Sequence, residues 1–121
     1  RFAVEASLDV SALLRKQTAR ERAIAVFAQL GVWDTEHNNG VLVYVLLADH
    51  DVEIIADRGI NRHVGHEAWE SICREMELDL RQGRFQEAIL HGVSAISAHL
   101  TRHYPGQGGN INELPDQPAI L

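Results

Sequence analysis

The sequence reads VLVYVLLA from Val41 to Ala48, eight apolar residues without a polar interruption. A strand with one face in water alternates apolar and polar residues, whereas a strand covered on both faces is apolar throughout. The pair Asn39-Gly40 precedes the run, and the polar triplet Asp49-His50-Asp51 follows it. The run therefore predicts a central strand in a sheet that has helices on both sides.

Two further strands are predicted on either side of this run. Phe2 to Ala6 alternates loosely, as a half-buried strand does, and Val52 to Asp57 resumes an extended apolar pattern. Only Asp49 to Asp51 separates this last strand from the central one. So short a polar connection is typical of a hairpin, and it predicts that the second and third strands are antiparallel.

Three helices are predicted from capping signals and helical spacing. The first begins after Thr18, which has capping-box spacing to Glu21, and ends near Leu30. The others run from about Gly65 to Leu80 and from Phe85 to about Leu100. Their expected core-facing residues are Ala23, Ile24, Phe27 and Leu30 in the first helix, Ala68, Trp69, Ile72, Cys73, Met76 and Leu80 in the second, and Phe85, Ala88, Ile89, Gly92, Val93, Ile96 and Leu100 in the third.

The remaining segments are polar or lack a period. Asp9 to Gln17 is either a loop or a short helical turn. Glycine, proline and polar residues dominate after Tyr104, so we predict a domain at residues 1–104 followed by an irregular tail at residues 105–121. On the second helix the charged side chains are expected to face solvent, namely Glu67, Glu70, Arg74, Glu75, Glu77 and Asp79.

These elements predict one fold class. A strand, a crossover helix and an apolar strand form a right-handed β-α-β unit, in which the two strands are parallel. The third strand then turns back as a hairpin. The predicted fold is an α/β protein, a three-layer α/β/α sandwich around a small mixed sheet.

Composition excludes several partners. The formal charge is −6 and no run of lysine or arginine occurs, so nucleic acid is not an expected partner. No apolar run reaches the length of a membrane helix, so no direct membrane span is expected and the segment is predicted to be soluble. A single cysteine, Cys73, excludes an internal disulfide.

The predicted topology brings two polar segments to one end of the sheet. The loop before the second strand and the residues after the third strand lie at the same end, because those strands run in opposite directions. Residues 33–39 are therefore expected to face residues 57–66. The ionisable and amide side chains of this set are Asp34, Glu36, His37, Asn38, Asn39, Asp57, Arg58, Asn61, His63 and His66.

Two kinds of cation site are compatible with this set, and so is a purely structural role. Carboxylate and amide oxygens select a hard cation such as calcium, and Asp34, Glu36, Asn38 and Asp57 would supply them. Zinc would instead select the imidazoles of His37, His63 and His66. Structurally, Asn39-Gly40 is a common turn pair, and Asp57-Arg58 reads as an exposed charge pair of under about 1 kcal/mol.

The other reactive residues have structural interpretations. His99 and His103 share a helical face. They could bind a metal there, or a protonated histidine could interact favourably with the negative end of the helix dipole, and we prefer the second interpretation. Cys73, Trp33 and Trp69 are expected in the core. The sequence has no phosphate-binding glycine loop, Gly-x-Ser-x-Gly elbow or Cys-x-x-Cys pair, so no catalytic residue or organic cofactor is predicted.

Several segments of the chain resemble the TPM domain family, and especially its short bacterial members. The resemblance covers most of the chain. It rests on WDTEHNNGVLVY at residues 33–44, VEIIADRGI at residues 52–60, Trp69, the Gly83-Arg84-Phe85 turn and the segment Asn112 to Asp116. It implies an α/β/α sandwich, in agreement with the fold predicted from the pattern.

The resemblance also carries functional expectations. Some relatives, including a thylakoid lumen member, are described as acid phosphatases or as binding calcium, and many bacterial relatives are tethered to the membrane. It implies Ca²⁺ or another divalent cation held by Asp34, Asn38 and Asp57, and a membrane-associated protein partner, while the compartment stays open. Around this site we assign ligand binding to Glu36, His37, Asn39, Arg58 and His63.

Two functions are compatible with these features. The preferred one is an interaction or accessory module linked to membrane-protein maintenance, which uses the polar loop as a recognition surface. The alternative is a metal-dependent phosphatase acting on phosphate monoesters. In it the cation and Arg58 would stabilise charge and a histidine would move the proton.

Overall fold

A computed structural model describes residues 1–8, 17–35, 37–104 and 119–121. Most of the predicted loop or turn at Asp9 to Gln17, namely residues 9–16, lies outside these residues, and so does Glu36. Strands and helices alternate along the first half of the chain, and three helices follow one another in the second half. The elements are β1 (Phe2–Glu5), α1 (Ala19–Gln29), β2 (Val41–Leu46), a 3₁₀ turn (Leu47–Asp49), β3 (Asp51–Ala56), α2 (Arg58–Val64), α3 (His66–Arg81), α4 (Phe85–His103) and β4 (Ala119–Ile120).

The described strands form one mixed sheet in the order β3-β2-β1-β4. β1 runs parallel to β2, with Phe2 opposite Val43, and β3 runs antiparallel to β2, with Val41 opposite Ala56. These pairings confirm the predicted mixed sheet, in which a parallel pair is joined to a hairpin.

The sheet separates two apolar clusters, which explains why β2 is apolar throughout. Val41, Val43 and Val45 belong to the cluster that includes Trp69, Ile72 and Met76 of α3 and Ile96 of α4. Leu42, Tyr44 and Leu46 belong to the cluster that includes Ala23 and Val26 of α1. Helices therefore cover both faces, as the three-layer sandwich requires.

The first helix begins as its capping signal predicts. The Thr18 hydroxyl accepts a hydrogen bond from the Glu21 amide at 3.1 Å, and the Glu21 carboxylate accepts from the Thr18 amide at 3.4 Å. The helix ends before Gly31, whose φ of +66° is costly for other residues. Its predicted apolar face is wrong at Ile24, which is 52% exposed.

A helix, α2, occupies residues 58–64, between the predicted third strand and the predicted second helix, where no element was predicted. Asp57 stands at its N-cap, where its carboxylate accepts from the Arg58 amide at 2.8 Å. Gly65, with a φ of +87°, separates α2 from α3. With seven residues, α2 is too short to show a clear helical period.

The two long helices form as predicted, but their predicted core faces are wrong at Phe85 and Val93, which are 41% and 42% exposed. Trp69, Cys73 and Met76 of α3 are buried, which confirms the expected packing side. Asp79 was expected to face solvent and is instead buried. Its carboxylate accepts from the His91 imidazole at 2.6 Å, so a hydrogen bond compensates its loss of water.

The end of the chain differs from the predicted irregular tail. Ala119–Ile120 form β4, which pairs with β1 in parallel and adds the fourth strand. Residues 105–118 of the predicted tail lie outside the described residues. Among the helices that the structure describes, none has the length and apolar character needed to cross a membrane.

Candidate functional site

The loop before β2 and the start of α2 meet at one end of the sheet, as the topology predicts. The Asp57 amide donates to the Gly40 carbonyl at 2.8 Å, which extends the β2–β3 pairing by one residue. The Ile60 amide donates to the Asn38 carbonyl at 3.2 Å. We call residues 33–40 and 57–60 together the polar junction.

Two glycines allow the polar junction to pack this closely. A Cβ atom on Gly59 would lie 2.2 Å from the His37 carbonyl oxygen, and one on Gly40 would lie 1.9 Å from the Val32 carbonyl oxygen. Asn38 between them has a φ of +54°, a conformation in which asparagine is enriched. The Asn39-Gly40 turn thus holds the loop against α2.

Asp57 is the polar junction's best-placed carboxylate. One of its oxygens, Oδ1, caps α2 through the Arg58 amide. The other, Oδ2, is buried and has no hydrogen-bond partner among the described residues. A buried carboxylate oxygen without a donor is costly, so Oδ2 is suited to an additional positive partner.

The loop side chains expected to bind a cation or ligand lie mostly at the surface. Asp34 and Asn38 are exposed, and Asn39 is half-buried. The main-chain N–H of Asn39 donates a hydrogen bond to the Thr35 hydroxyl at 3.1 Å. Arg58 is exposed on the first turn of α2. Within residues 1–8, 17–35, 37–104 and 119–121, no three His, Cys, Asp or Glu side chains are grouped closely enough to hold a metal ion.

Aromatic rings join the loop to α2 and to the end of α4. The His37 ring lies 6.2 Å from the Tyr104 ring, and the His63 ring stacks on that of His103 at 4.8 Å. Desolvation lowers the pKa of His103, and the nearby His63, Arg102 and His99 lower it further. His103 therefore contributes to this ring cluster in addition to lying at a helix C-terminus.

Asn61 and His66 of the predicted set, and the separate His99, contact residues of α3. The Asn61 side chain accepts from the Trp69 indole at 2.9 Å, and the His66 imidazole lies 3.7 Å from the Glu70 carboxylate. His99 packs its ring 5.8 Å from that of Trp69. These three side chains therefore have structural partners on α3.

The two tryptophans have opposite environments. Trp69 is buried, as predicted, whereas the prediction that Trp33 belongs to the core is wrong, because Trp33 is 56% exposed. Trp33 lies in the turn that follows α1, where Gly31 redirects the chain. An exposed tryptophan therefore stands at the start of the polar junction.

Cys73 is a buried core residue, as predicted. Burial, together with the charges of the nearby Glu53, Glu77 and Glu70, raises the pKa of its thiol to about 12. A thiol with so high a pKa is almost entirely protonated at neutral pH and is a poor nucleophile.

A second polar centre lies at the opposite end of the sheet and was not predicted. The Tyr44 hydroxyl donates to the Glu5 carboxylate at 2.5 Å, and Arg22 donates to both carboxylate oxygens at 2.9 and 3.2 Å. Burial raises the pKa of Tyr44, and the hydrogen bond to Glu5 raises it further. The only sequence signal was a tyrosine within the apolar run.

Comparisons with known proteins agree with this fold. The family model of the TPM domain matches residues 5–99. The chain is also similar to the BA42 protein of the psychrophilic bacterium Bizionia argentinensis, whose structure was solved by NMR. The TM-score is 0.81 at 27% identity, covering 100% of this chain and 79% of that one. No curated protein matches the sequence.

Proposed function

The chain belongs to the TPM domain family, and we propose that it acts as an interaction module whose recognition surface is the polar junction. The exposure of Trp33 supports this role. Tryptophan is enriched among the residues that dominate binding energy at protein interfaces, and an isolated domain gains nothing by leaving it 56% in solvent. The partner class implied by the family resemblance is a membrane-associated protein.

A photocrosslinking experiment tests the interaction role. With p-benzoylphenylalanine in place of Trp33, we expect a defined partner from the membrane fraction to be captured in cells. Ile24, which is 52% exposed on α1, provides the matched control position. Capture of the same proteins from both positions, or no capture from position 33, would contradict an interface at the polar junction.

We further propose that a divalent cation such as Ca²⁺ orders this surface. Support comes from the buried Asp57 Oδ2, which lacks a hydrogen-bond partner among the described residues. Asp57 would be the principal ligand, and Asp34 and Asn38 on the adjoining loop would add oxygen atoms of the type that calcium selects. A bound cation would hold the loop against α2 and fix the orientation of Trp33.

Calorimetric titration tests the cation proposal. We expect Asp57→Asn to weaken Ca²⁺ binding at least about tenfold, because a carboxylate ligand is replaced by a neutral amide. Asparagine is also a good N-cap, so α2 should be retained. The control is Asp49→Asn, an exposed aspartate in the β2–β3 connection, which should leave the affinity unchanged.

Two results would reject an oxygen-rich site. One is a wild-type protein that gives no heat with Ca²⁺, Mg²⁺ or Zn²⁺. The other is Zn²⁺ binding that is lost in His63→Ala and unchanged in Asp57→Asn, which would place the cation among the imidazoles instead.

The alternative function, metal-dependent hydrolysis of phosphate monoesters, would use the same residues. Arg58 follows Asp57 on the surface and could stabilise phosphate charge, while His63 lies on the same helix and could carry a proton. The calorimetry variants also test this function. A phosphatase must release phosphate from p-nitrophenyl phosphate, and this activity must persist when the protein is purified again. The activity should fall in Asp57→Asn and be unchanged in Asp49→Asn.

A further inference from the structure

The edge strand β3 borders a small cleft. β3 is the outermost strand of the described sheet on the side away from β4. Beside it lies a cleft of about 100 Å³, lined by Ile54, Ile55 and Ala56 of the strand, with Arg20 of α1 on one side and Trp69 of α3 on the other. The cleft therefore gives access to part of the sheet edge.

The register shows which main-chain groups of β3 point away from the sheet. The Asp57 amide bonds to the Gly40 carbonyl, so alternate residues of β3 bond to β2. Val52, Ile54 and Ala56 are the residues between them, and they direct their amides and carbonyls outwards. Such groups are a template for an additional strand unless they are covered.

Side chains cover one end of this edge more firmly than the other. The Val52 amide donates to the Glu77 carboxylate at 3.0 Å, and the Ile54 carbonyl accepts from Arg20 at 2.8 Å. The Arg20 side chain is 50% exposed, so an incoming donor can displace it into water. Among the described residues, the outward groups of Ala56 have no hydrogen-bond partner.

The surroundings of this edge are acidic. Asp51 and Glu53 lie on the strand, and Glu70 and Glu77 lie on α3 beside it, where the exposed Arg74 pairs with Glu70 at 3.3 Å. Burial raises the pKa of Glu53, and the charges of Asp51, Glu70 and Glu77 raise it further, while Arg20 lowers it. Carboxylates crowded in this way are stabilised by an added positive charge.

We propose that the open end of β3 binds a short extended segment of a partner protein that carries lysine or arginine side chains. The segment would replace Arg20 on the Ile54 carbonyl, pair with the main chain of Ala56, and place basic side chains against Glu53 and Glu70. This interaction is independent of the cation and of the polar junction's role.

The acidic surroundings distinguish this occupant from a second copy of the chain. Antiparallel pairing of two β3 strands through Ile54 and Ala56 would place Glu53 of each copy opposite Asp57 of the other, and like charges across a strand pair are destabilising. Glu77 also covers Val52, which limits pairing to the end of the strand that lines the cleft. A basic segment of a few residues satisfies both constraints.

A peptide titration tests the proposal. The probe is a fluorescein-labelled octapeptide in which lysine alternates with valine and threonine, titrated in EDTA so that the result does not depend on a cation. We expect binding by fluorescence anisotropy, with amide shifts at Ile54 and Ala56 in NMR spectra. The same peptide with glutamate in place of lysine should not bind.

Protein variants assign the binding to this edge. Glu53→Gln and Glu70→Gln should each weaken binding by up to about fivefold, the effect of one exposed charge pair. Glu87→Gln, an exposed carboxylate in the first turn of α4, should leave it unchanged. Arg20→Ala should strengthen binding, because it uncovers the Ile54 carbonyl and removes a like charge.

Modification of the peptide gives a further test that uses only the wild-type protein and so does not depend on whether a protein variant folds. N-methylation of alternate peptide residues, placed in either of the two phases, should abolish binding in one phase and preserve it in the other. Any one of four results would overturn the proposal. The first two are failure of the basic peptide to bind and equal binding of the lysine and glutamate peptides. The other two are N-methylation that has no effect in either phase and NMR shifts that are confined to amides outside β3. Dimerisation of Arg20→Ala through β3 without peptide binding would identify a second copy as the occupant and would also overturn it.

Discussion

Gly59→Ala is expected to destabilise the protein by about 3 kcal/mol and to separate the loop before β2 from α2. The added Cβ atom would lie 2.2 Å from the His37 carbonyl oxygen and 2.4 Å from the Asn38 carbonyl oxygen. Both neighbours are main-chain atoms, which cannot rotate away as a side chain can. Relief therefore requires movement of the loop or of the helix.

The matched control is Gly92→Ala, the same substitution in α4. Its Cβ atom would lie 2.7 Å from the Met76 sulfur, which belongs to a flexible side chain that can shift. Alanine also favours a helix over glycine by about 0.5 to 1 kcal/mol, so the net change should stay within about 1 kcal/mol. Gly59 is helical as well, so both variants receive the same propensity gain.

Urea unfolding of the two variants gives the comparison, and the NMR amide signals of Asn38 and Ile60 report on the loop contact. We expect a large loss of stability and shifted signals in Gly59→Ala, and neither in Gly92→Ala. Equal free energies of unfolding in the two variants would show that the loop adapts to the added methyl group. The polar junction would then be looser than its hydrogen bonds suggest.

The sheet could be predicted because its signals are local and mutually consistent. The apolar run at Val41 to Ala48, the short polar connection after it and the Thr18 capping box each depend on neighbours in sequence. Together they were enough to place the polar junction, since strand direction alone brings residues 33–39 and 57–66 to one end. The two segments that meet in that junction are consequently among those that the sequence identified, although Asn61 and His66 of the predicted set contact α3 residues instead.

Features that depend on distant partners could not be predicted. The burial of Asp79 depends on His91 in the next helix, and β4 forms because β1 offers it an edge. His103 and Tyr104 reach the ring cluster only because α4 is long enough to return to that end of the sheet. Trp33 was misassigned because tryptophan is usually buried, whereas this one lies at the surface after the Gly31 turn.

Removing the Glu5 carboxylate is expected to produce the second large loss of stability. Glu5→Gln should cost about 2 to 3 kcal/mol, because Arg22 loses its paired charge and the Tyr44 hydroxyl loses a charged acceptor. This is below the cost of breaking a fully buried ion pair, since the Arg22 side chain is 24% exposed. Tyr44→Phe should cost about 1 kcal/mol, because Arg22 still pairs with Glu5.

The same network predicts a dependence on alkaline pH. The pKa of Tyr44 is raised in the folded protein, so its proton is held more tightly there than in the unfolded chain. Its stabilising contribution is complete below the unfolded pKa of about 10 and is lost as the pH rises above it. Between pH 8 and pH 11 the free energy of unfolding should fall further in the wild type than in Tyr44→Phe. If the free energies of unfolding of the wild type and Tyr44→Phe changed in parallel with pH, folding would not raise the pKa of Tyr44.

A fully apolar replacement tests whether the stability of this network depends on its charges. Ion pairs that are removed from water can often be replaced by well-packed apolar side chains at no cost or with a gain. Combining Glu5→Leu, Arg22→Met and Tyr44→Phe should therefore recover most of the stability that Glu5→Gln loses, as measured by urea unfolding. Recovery would mean that the stability of the fold does not require the charges of Glu5 and Arg22. A triple variant less stable than Glu5→Gln would instead show that these charges are needed to hold β1, β2 and α1 in register.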